Sequence, residues 1–320
     1  MSPGKLATIG TPLSLGLFLL AVAAILALDL GVLNRRAHKI RPREAILWTL
    51  ACVILSLGFN AWIWFTHGSQ PALEFFAGYV VEYALSVDNL FVFLIIFGYF
   101  AVPEELQHRV LFWGIFGALT LRAVFVVLGA ALIAKFHWIL YLFGAFLLIT
   151  GVRLLYQSDE MVEPEGNWVV RIFRRFVPLT QSYHGQKFFV ALDSRMYATP
   201  LFLVLVLLEA TDVVFAVDSI PAVFGITADP FIVFTSNICA ILGLRSLYFL
   251  LAHVMDRFHY LKYGLGLVLA FIGAKMLAMD VYAVPIALSL GVIAVLLGGA
   301  ILLSWLRPPA AKSDQRSKEA

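Results

Sequence analysis

The sequence predicts an all-α, polytopic membrane protein of about nine transmembrane helices, with a core formed by two inverted repeats of three helices each. Three observations lead to this fold class. Hydrophobic residues make up 62% of the 320 residues and charged residues only 13%, about half the charged fraction of a typical soluble domain. Apolar stretches close to the ~20 residues needed to cross a bilayer recur along the chain. Polar residues also recur in the same order in two parts of the chain.

The apolar stretches define the expected spans. They cover residues 12–33, 44–65, 73–99, 107–134, 138–156, 200–225, 231–254, 258–279 and 285–305. The first stretch ends at Arg35 and Arg36 and is expected to be a retained anchor rather than a cleaved signal peptide. The expected divisions are two accessory helices (1–72), a first repeat (73–156), a basic cytoplasmic loop (157–197), a second repeat (198–280), and a last helix with its tail (281–320).

Lysine and arginine concentrate in alternate connections between the spans. Residues 34–44, the loop 157–197 and the tail after Arg307 are basic, whereas the opposite loops carry few cations. The positive-inside rule then places the N-terminus outside and the C-terminus in the cytoplasm. The small net charge of +3 therefore reflects topology and not a nucleic-acid-binding surface. Residues 167–177, NWVVRIFRRFV, form either a helix lying on the anionic inner membrane surface or a basic linker.

An internal repeat is visible in the polar landmarks. SVDNLFVF (86–93) matches AVDSIPAV (216–223), and FHWILYLFGAFLLITGVRLL (136–155) matches FHYLKYGLGLVLAFIGAKML (258–277). Between these segments, ALTLRAV and AILGLRSL place Arg122 on Arg245. Since each repeat holds three spans, the second copy is inverted relative to the first, as in many transporters whose substrate site lies between inverted halves.

Five carboxylates fall within the expected spans. They are Glu82 and Asp88 in the third span and Glu209, Asp212 and Asp218 in the sixth. An ionised side chain at the centre of a span costs roughly 2.5–3.5 kcal/mol on insertion scales. Arg122 and Arg245 lie deep in their spans and are the expected charge partners. Two arginines cannot neutralise five carboxylates, so structural ion pairs explain only part of the set.

The chemistry of these side chains favours a metal-cation site. The repeat alignment places Asp88 on Asp218 and Glu82 on Asp212, which distinguishes these four from Glu209. Oxygen ligands without nearby Cys or His suit a hard divalent cation such as Mn²⁺, Ca²⁺ or Mg²⁺.

Neighbouring groups add neutral oxygens to this expected site. Asn89 and Ser219 follow the two repeat-matched aspartates, and Glu209 is a further supporting carboxylate. Pro221 cannot donate the helical hydrogen bond that the carbonyl of Val217 would accept, which frees that oxygen. The remaining expectation is that no cofactor is permanently bound.

The depth of each acid predicts which of them meet. Residues six apart on one helix are separated by ~9 Å along the axis and point in different directions. If the third and sixth spans run antiparallel, Glu82 lies level with Asp218, and Asp88 lies level with Asp212. These crossed pairs are therefore expected to be closer than the pairs within one helix.

Two segments carry a resemblance to a known family. EYALSVDNLFVF (82–93) and LEATDVVFAVDSIPAVFGITADPFIVFTSNICAILGLRSLYFLL (208–251) resemble the TerC family, and within it the Alx-type bacterial members; the similarity extends over nearly the whole chain. The resemblance implies an integral inner-membrane protein, linked to tellurium resistance, from a family with members that export manganese. It also implies that Glu82, Asp88, Asp212 and Asp218 handle the metal.

Two functions from different classes follow as hypotheses. The first is a non-enzymatic transporter that exports Mn²⁺, in exchange for protons, with the divalent cation and membrane lipid as its expected partners. The second is a non-transporting membrane factor that assists insertion or metalation of other proteins, although no particular protein partner is indicated. An intramembrane aspartyl protease is disfavoured because the sequence lacks GxGD, and the P-loop of an ATP-driven pump is absent.

Overall fold

The computed structural model describes residues 8–28, 42–136, 138–156, 173, 175, 177–192, 195–251, 260–282 and 284–306. Within the helices, the side chains of residues 42, 88, 91, 218 and 245 lie outside this set. The elements are α1 (Pro12–Leu28), α2 (Pro42–His67), α3 (Ser69–Tyr99), α4 (Glu104–Lys135), α5 (Ile139–Tyr156), β1 (Phe189–Leu192), β2 (Arg195–Ala198), α6 (Pro200–Phe224), α7 (Pro230–Leu242), α8 (Leu244–Leu251), α9 (Leu261–Leu277) and α10 (Ile286–Leu306).

Helix length and hydropathy identify a multi-pass membrane protein. Among the described residues, six helices are long and apolar enough to cross a bilayer: α2, α3, α4, α5, α6 and α10. Helices α1 and α7 are apolar but shorter. The sequence predicts one helix for the seventh span, 231–254. The structure instead divides this span at Gly243 into α7 and α8, and the low helix propensity of glycine favours a break at this residue. An all-α membrane fold is confirmed for the described chain, apart from one hairpin, whereas the figure of about nine spans stays a prediction.

Several sequence-based expectations lie outside the described residues. They concern the basic residues 34–41, most of the proposed surface helix 167–177, and the tail after Arg307. The topology inferred from charge therefore stays a prediction.

A short β-hairpin occurs where the sequence indicated only a basic loop. Strands β1 and β2 pair antiparallel, with Phe189 opposite Ala198. The backbone N–H of Thr199 then donates to the carbonyl of Phe188 at 2.9 Å. Helix α6 begins at the next residue, Pro200, a position where the missing N–H has no helical partner to lose. The hairpin therefore fixes the start of the helix that carries three of the acids.

The segment before the hairpin closes one end of the helix bundle. The Tyr183 hydroxyl donates to the carbonyl of Phe100 at 2.7 Å, and burial raises the pKa of this phenol. Arg109 Nη1 donates to Gln186 Oε1 at 3.3 Å. These contacts attach the loop to the end of α3 and the beginning of α4.

Helices α3 and α6 lie at the centre of the bundle and are in contact, as the sequence predicted. One hydrophobic cluster contains Val81 of α3 and Val223 of α6, and another contains Phe97 and Leu201. The beginning of each helix therefore lies beside the end of the other, which is the antiparallel arrangement. Helix α4 packs on α6 and α7, and α3 also packs on α7.

Glycines allow α5 and α9 to approach to backbone contact. A Cβ atom at Gly151 would lie 2.5 Å from the carbonyl oxygen of Gly266, and one at Gly273 would lie 2.6 Å from the carbonyl oxygen of Gly144. Small residues at helix interfaces favour association in lipid because they permit close van der Waals contact. This glycine seam, Gly144 and Gly151 with Gly266 and Gly273, holds α5 against α9.

Replacing Gly273 with alanine should destabilise the protein, because the added methyl group meets backbone atoms that cannot move independently. Overpacking of this kind costs roughly 1–3 kcal/mol. Thermal unfolding in detergent should show a melting temperature several degrees lower. Gly298→Ala on α10 is the matched control, since nothing lies within 4 Å of its added Cβ, and equal melting temperatures for both variants would contradict the proposed packing.

Candidate functional site

Three helices bring charged side chains together near their midpoints. Glu82 projects from α3, Arg122 from α4, and Asp212 from α6. Ser219 lies seven residues after Asp212, about two helical turns, so both occupy one face of α6. We refer to these four residues as the central cluster.

The central cluster is almost completely buried. Glu82 and Arg122 are 0% exposed, Asp212 is 5% exposed and Ser219 is 1% exposed. Arg122 forms an ion pair with Glu82 through Nη1, and its Nη2 lies 3.3 Å from Asp212 Oδ1. Nη1 also lies 3.3 Å from Ser219 Oγ. A single guanidinium therefore connects carboxylates from two different helices.

Parts of the central cluster lack hydrogen bonds. Within the described residues, Glu82 Oε2, Asp212 Oδ2 and Arg122 Nε are buried and have no hydrogen-bond partner. A buried polar atom without a partner is costly and calls for a ligand, an ion or water. The two carboxylate oxygens are acceptors, so a partner for either of them would be a cation or a hydrogen-bond donor.

The charges of the central cluster do not cancel. Among its described side chains, two carboxylates face one guanidinium, which leaves one negative charge in excess when all three are ionised. At this depth an excess charge is unfavourable unless a further cation or a proton compensates it. The excess negative charge of these described side chains attracts cations and repels anions.

Glu209 lies one turn before Asp212 on α6 and contacts α4. Its carboxylate rests against Gly117, where it leaves no space for a side chain. Sequence analysis did not identify Gly117, because a glycine in an apolar helix gives no indication of which residue approaches it. The repeat alignment sets Glu209 apart from the four repeat-matched acids, and the structure shows that its neighbour on α4 is Gly117.

A small cavity lies beside Asp212. Its volume is about 20 Å³, and its walls include Leu90 and Phe93 of α3, Gly114 of α4, and Leu208 of α6. Leu90 and Phe93 come after Glu82 on α3, and Leu208 comes before Asp212 on α6. Because the end of α3 and the beginning of α6 lie beside the hairpin, the cavity lies on the hairpin side of the central cluster. It has room for about one water molecule.

Three of the predicted site residues are described only by the helix on which they lie. Asp88, Asp218 and Arg245 lie on α3, α6 and α8, but their side chains are outside the described set. The crossed-pair distances therefore stay predictions. Among the side chains that the structure describes, no three His, Cys, Asp or Glu residues are grouped closely enough to hold a metal ion. Asn89 is 5% exposed on α3, and its proposed role as a ligand also stays a prediction.

Ser86 and Asn237 are further buried polar residues without a partner among the described side chains. Ser86, one turn after Glu82, and Asn237 of α7 are 0% and 1% exposed. The sequence signal that could have identified Asn237 is the polar triplet Thr235–Asn237 inside an apolar stretch.

Comparison with known proteins identifies the family. The family model for the integral membrane protein TerC family matches residues 67–312. The chain belongs to the TerC family. An uncharacterized membrane protein of Myxococcus xanthus is 49% identical over 300 residues, which is 94% of each chain. A protein of Escherichia coli K12 named "Putative membrane-bound redox modulator Alx" is 48% identical over 309 residues, which is 93% of this chain and 96% of the relative. No solved structure matches.

Replacing Gly117 with valine should lower stability, because the side chain must displace Glu209 and separate α4 from α6. The expected cost is roughly 1–3 kcal/mol, measured as a lower melting temperature by scanning fluorimetry. Gly114→Val lies one turn away and carries the same propensity penalty, but no atom lies within 4 Å of its added Cβ. If Gly114→Val were equally destabilising, contact with Glu209 would not be the cause.

Proposed function

We propose that this TerC family protein is a transporter that exports a divalent metal cation, with Mn²⁺ as its principal cargo, across the bacterial inner membrane. The observation that carries the proposal is the central cluster: Glu82 and Asp212 are buried at the midpoints of spanning helices, with excess negative charge and acceptor oxygens that lack donors. Ionisable residues inside the membrane characteristically mark ion pathways. Asp88 and Asp218 complete the proposed ligand set, supported by Asn89, Ser219 and Glu209.

The ligand chemistry supports a hard cation. The candidate ligands are carboxylate, amide and hydroxyl oxygens, which suit Mn²⁺, Mg²⁺ and Ca²⁺ better than softer ions. The choice of Mn²⁺ among them rests on the family resemblance. The name of the Escherichia coli relative, putative membrane-bound redox modulator, refers to a redox role for that protein. In this chain Cys52 and Cys239 are buried and are not joined in a disulfide, and we base the proposal on the carboxylates.

The pattern of helix contacts supports an inverted repeat. In an inverted repeat, α3 corresponds to α6, α4 to α7 and α5 to α9, so every contact should have a counterpart between the corresponding helices. The counterpart of the α3–α7 contact is the α6–α4 contact, and both are present. The α3–α6 and α5–α9 contacts, which are also present, are each their own counterpart. Transporters built in this way bind substrate between the halves and expose it alternately to each side.

Protons are the proposed counter-ions. Carboxylates that release a divalent cation inside the membrane must be compensated, and protonation achieves this without another ligand. A non-transporting factor for insertion or metalation of other proteins is the alternative function. It does not require unpaired carboxylate oxygens at the midpoint of the helices.

Mn²⁺ uptake into inside-out vesicles or proteoliposomes should decide between these functions. The wild-type protein should accumulate Mn²⁺, and it should do so faster when the vesicle lumen is more acidic than the external solution. Asp212→Asn should reduce the rate of uptake about tenfold or more, because a charged ligand is lost. Asp280→Asn is the control, since Asp280 is exposed and pairs with Tyr141. Absence of wild-type flux would favour the non-transporting factor, and full activity of Asp212→Asn would remove this residue from the site.

A further inference from the structure

Arg122 occupies the space that a cation would need between Glu82 and Asp212. Its guanidinium contacts both carboxylates and Ser219, and no part of the residue is exposed. A divalent ion bound by the same two carboxylates would have metal–oxygen distances of about 2.0–2.6 Å. The guanidinium and the ion cannot both make these contacts, since they would overlap and repel each other.

We propose that Arg122 is a tethered cation that competes with the cargo ion for Glu82 and Asp212 and compensates their charge when the ion is absent. This inference rests on the proposed transport function and specifies how its site is regulated. Arg122 is fully buried, and the guanidinium group is the most persistent cation among the side chains. It therefore supplies a positive charge that the ion-free protein cannot lose to solvent.

The geometry explains how one side chain can perform both roles. The guanidinium is planar and carries several donors, so it can contact the α3 and α6 carboxylates simultaneously. The Asp212 contact and the Ser219 contact are each 3.3 Å long, at the long end of the range for hydrogen bonds. Long contacts are more easily exchanged for ligation to a metal ion. The unpaired Glu82 Oε2 and Asp212 Oδ2 provide the oxygens at which an arriving ion first binds.

The competition has a consequence for the transport cycle. A carrier that exports an ion must return to its original orientation without that ion. Two bare carboxylates at mid-membrane would make this return unfavourable, because uncompensated buried charge is costly. With Arg122 bound to both, Glu82 and Asp212 together retain one excess negative charge instead of two, and one of the proposed counter-protons is enough to compensate it. Net export therefore requires Arg122, whereas exchange of one Mn²⁺ for another does not, because the carrier then returns loaded.

Arg122→Gln separates these two reactions. The purified variant should bind Mn²⁺ about tenfold more tightly than wild type, as measured by equilibrium dialysis with metal analysis. Mn²⁺ should also raise its melting temperature more than that of wild type. In proteoliposomes, Mn²⁺–Mn²⁺ exchange should persist while net efflux falls about tenfold or more. Arg153→Gln, which removes an exposed arginine of α5, should match wild type in each assay.

Arg122→Lys provides a second variant if Arg122→Gln does not fold. A single ammonium cannot contact two carboxylates in the same fork geometry, so Arg122→Lys should also bind Mn²⁺ more tightly than wild type, though less tightly than Arg122→Gln. Added guanidinium ions should weaken Mn²⁺ binding to Arg122→Gln and restore part of its net efflux. Unchanged or weaker Mn²⁺ binding in the folded variants, or wild-type net efflux in Arg122→Gln, would overturn the assignment.

The outcomes also distinguish this inference from the transport proposal. If wild type transports Mn²⁺ and neither variant binds it more tightly, only the role of Arg122 fails. If wild type moves no Mn²⁺ but Arg122→Gln binds the ion more tightly than wild type does, the transport proposal fails and the competition is upheld. If no form of the protein binds Mn²⁺, both are wrong.

Discussion

The ion pair of Arg122 with Glu82 and Asp212 is the interaction on which the centre of the structure depends. Each carboxylate alone would be costly to place at the midpoint of a membrane-spanning helix. Because the guanidinium reaches both, α3, α4 and α6 are constrained to meet at one depth and in one rotational setting. Apolar contacts could be satisfied by lipid as well as by another helix, whereas these charges can be satisfied only inside the protein. The ion pair therefore specifies which faces of the three helices pack together.

The glycine seam stabilises the bundle by a different mechanism. There the helices α5 and α9 are held by backbone contact, with no charge involved. Gly144 corresponds to Gly266 in the repeat alignment and Gly151 to Gly273, yet the contacts join Gly144 to Gly273 and Gly151 to Gly266. An antiparallel pair related by a twofold axis makes contacts of this kind. The bundle is therefore held by two kinds of contact, close backbone packing at the glycine seam and an ion pair at the central cluster.

The sequence predicted the membrane class, most helix positions and the presence of buried acids, because all of these depend on composition along one dimension. It could not predict which acid shares Arg122. Helices that are apolar on every side have no amphipathic pattern to show which face meets a neighbour. Polar residues alone carry that information, and their partners are set by rotation and depth. For the same reason Gly117 was missed, as was the division of the seventh span at Gly243. The hairpin was missed because its strands are only four residues long.

The incomplete satisfaction of the central cluster is itself informative about function. A permanent metal centre is closed, with the charge of every ligand balanced by the ion and by surrounding hydrogen bonds. In the central cluster, a built-in cation balances only part of the charge, and two carboxylate oxygens have no donor in the described structure. On the competition proposed for Arg122, an external ion binds only by displacing an internal cation, which would lower the net affinity. Weak, reversible binding is a disadvantage for a structural metal but a requirement for transport, because a carrier must release its cargo on the other side. The same reasoning favours a cargo ion with flexible coordination, since its ligands must exchange during each cycle.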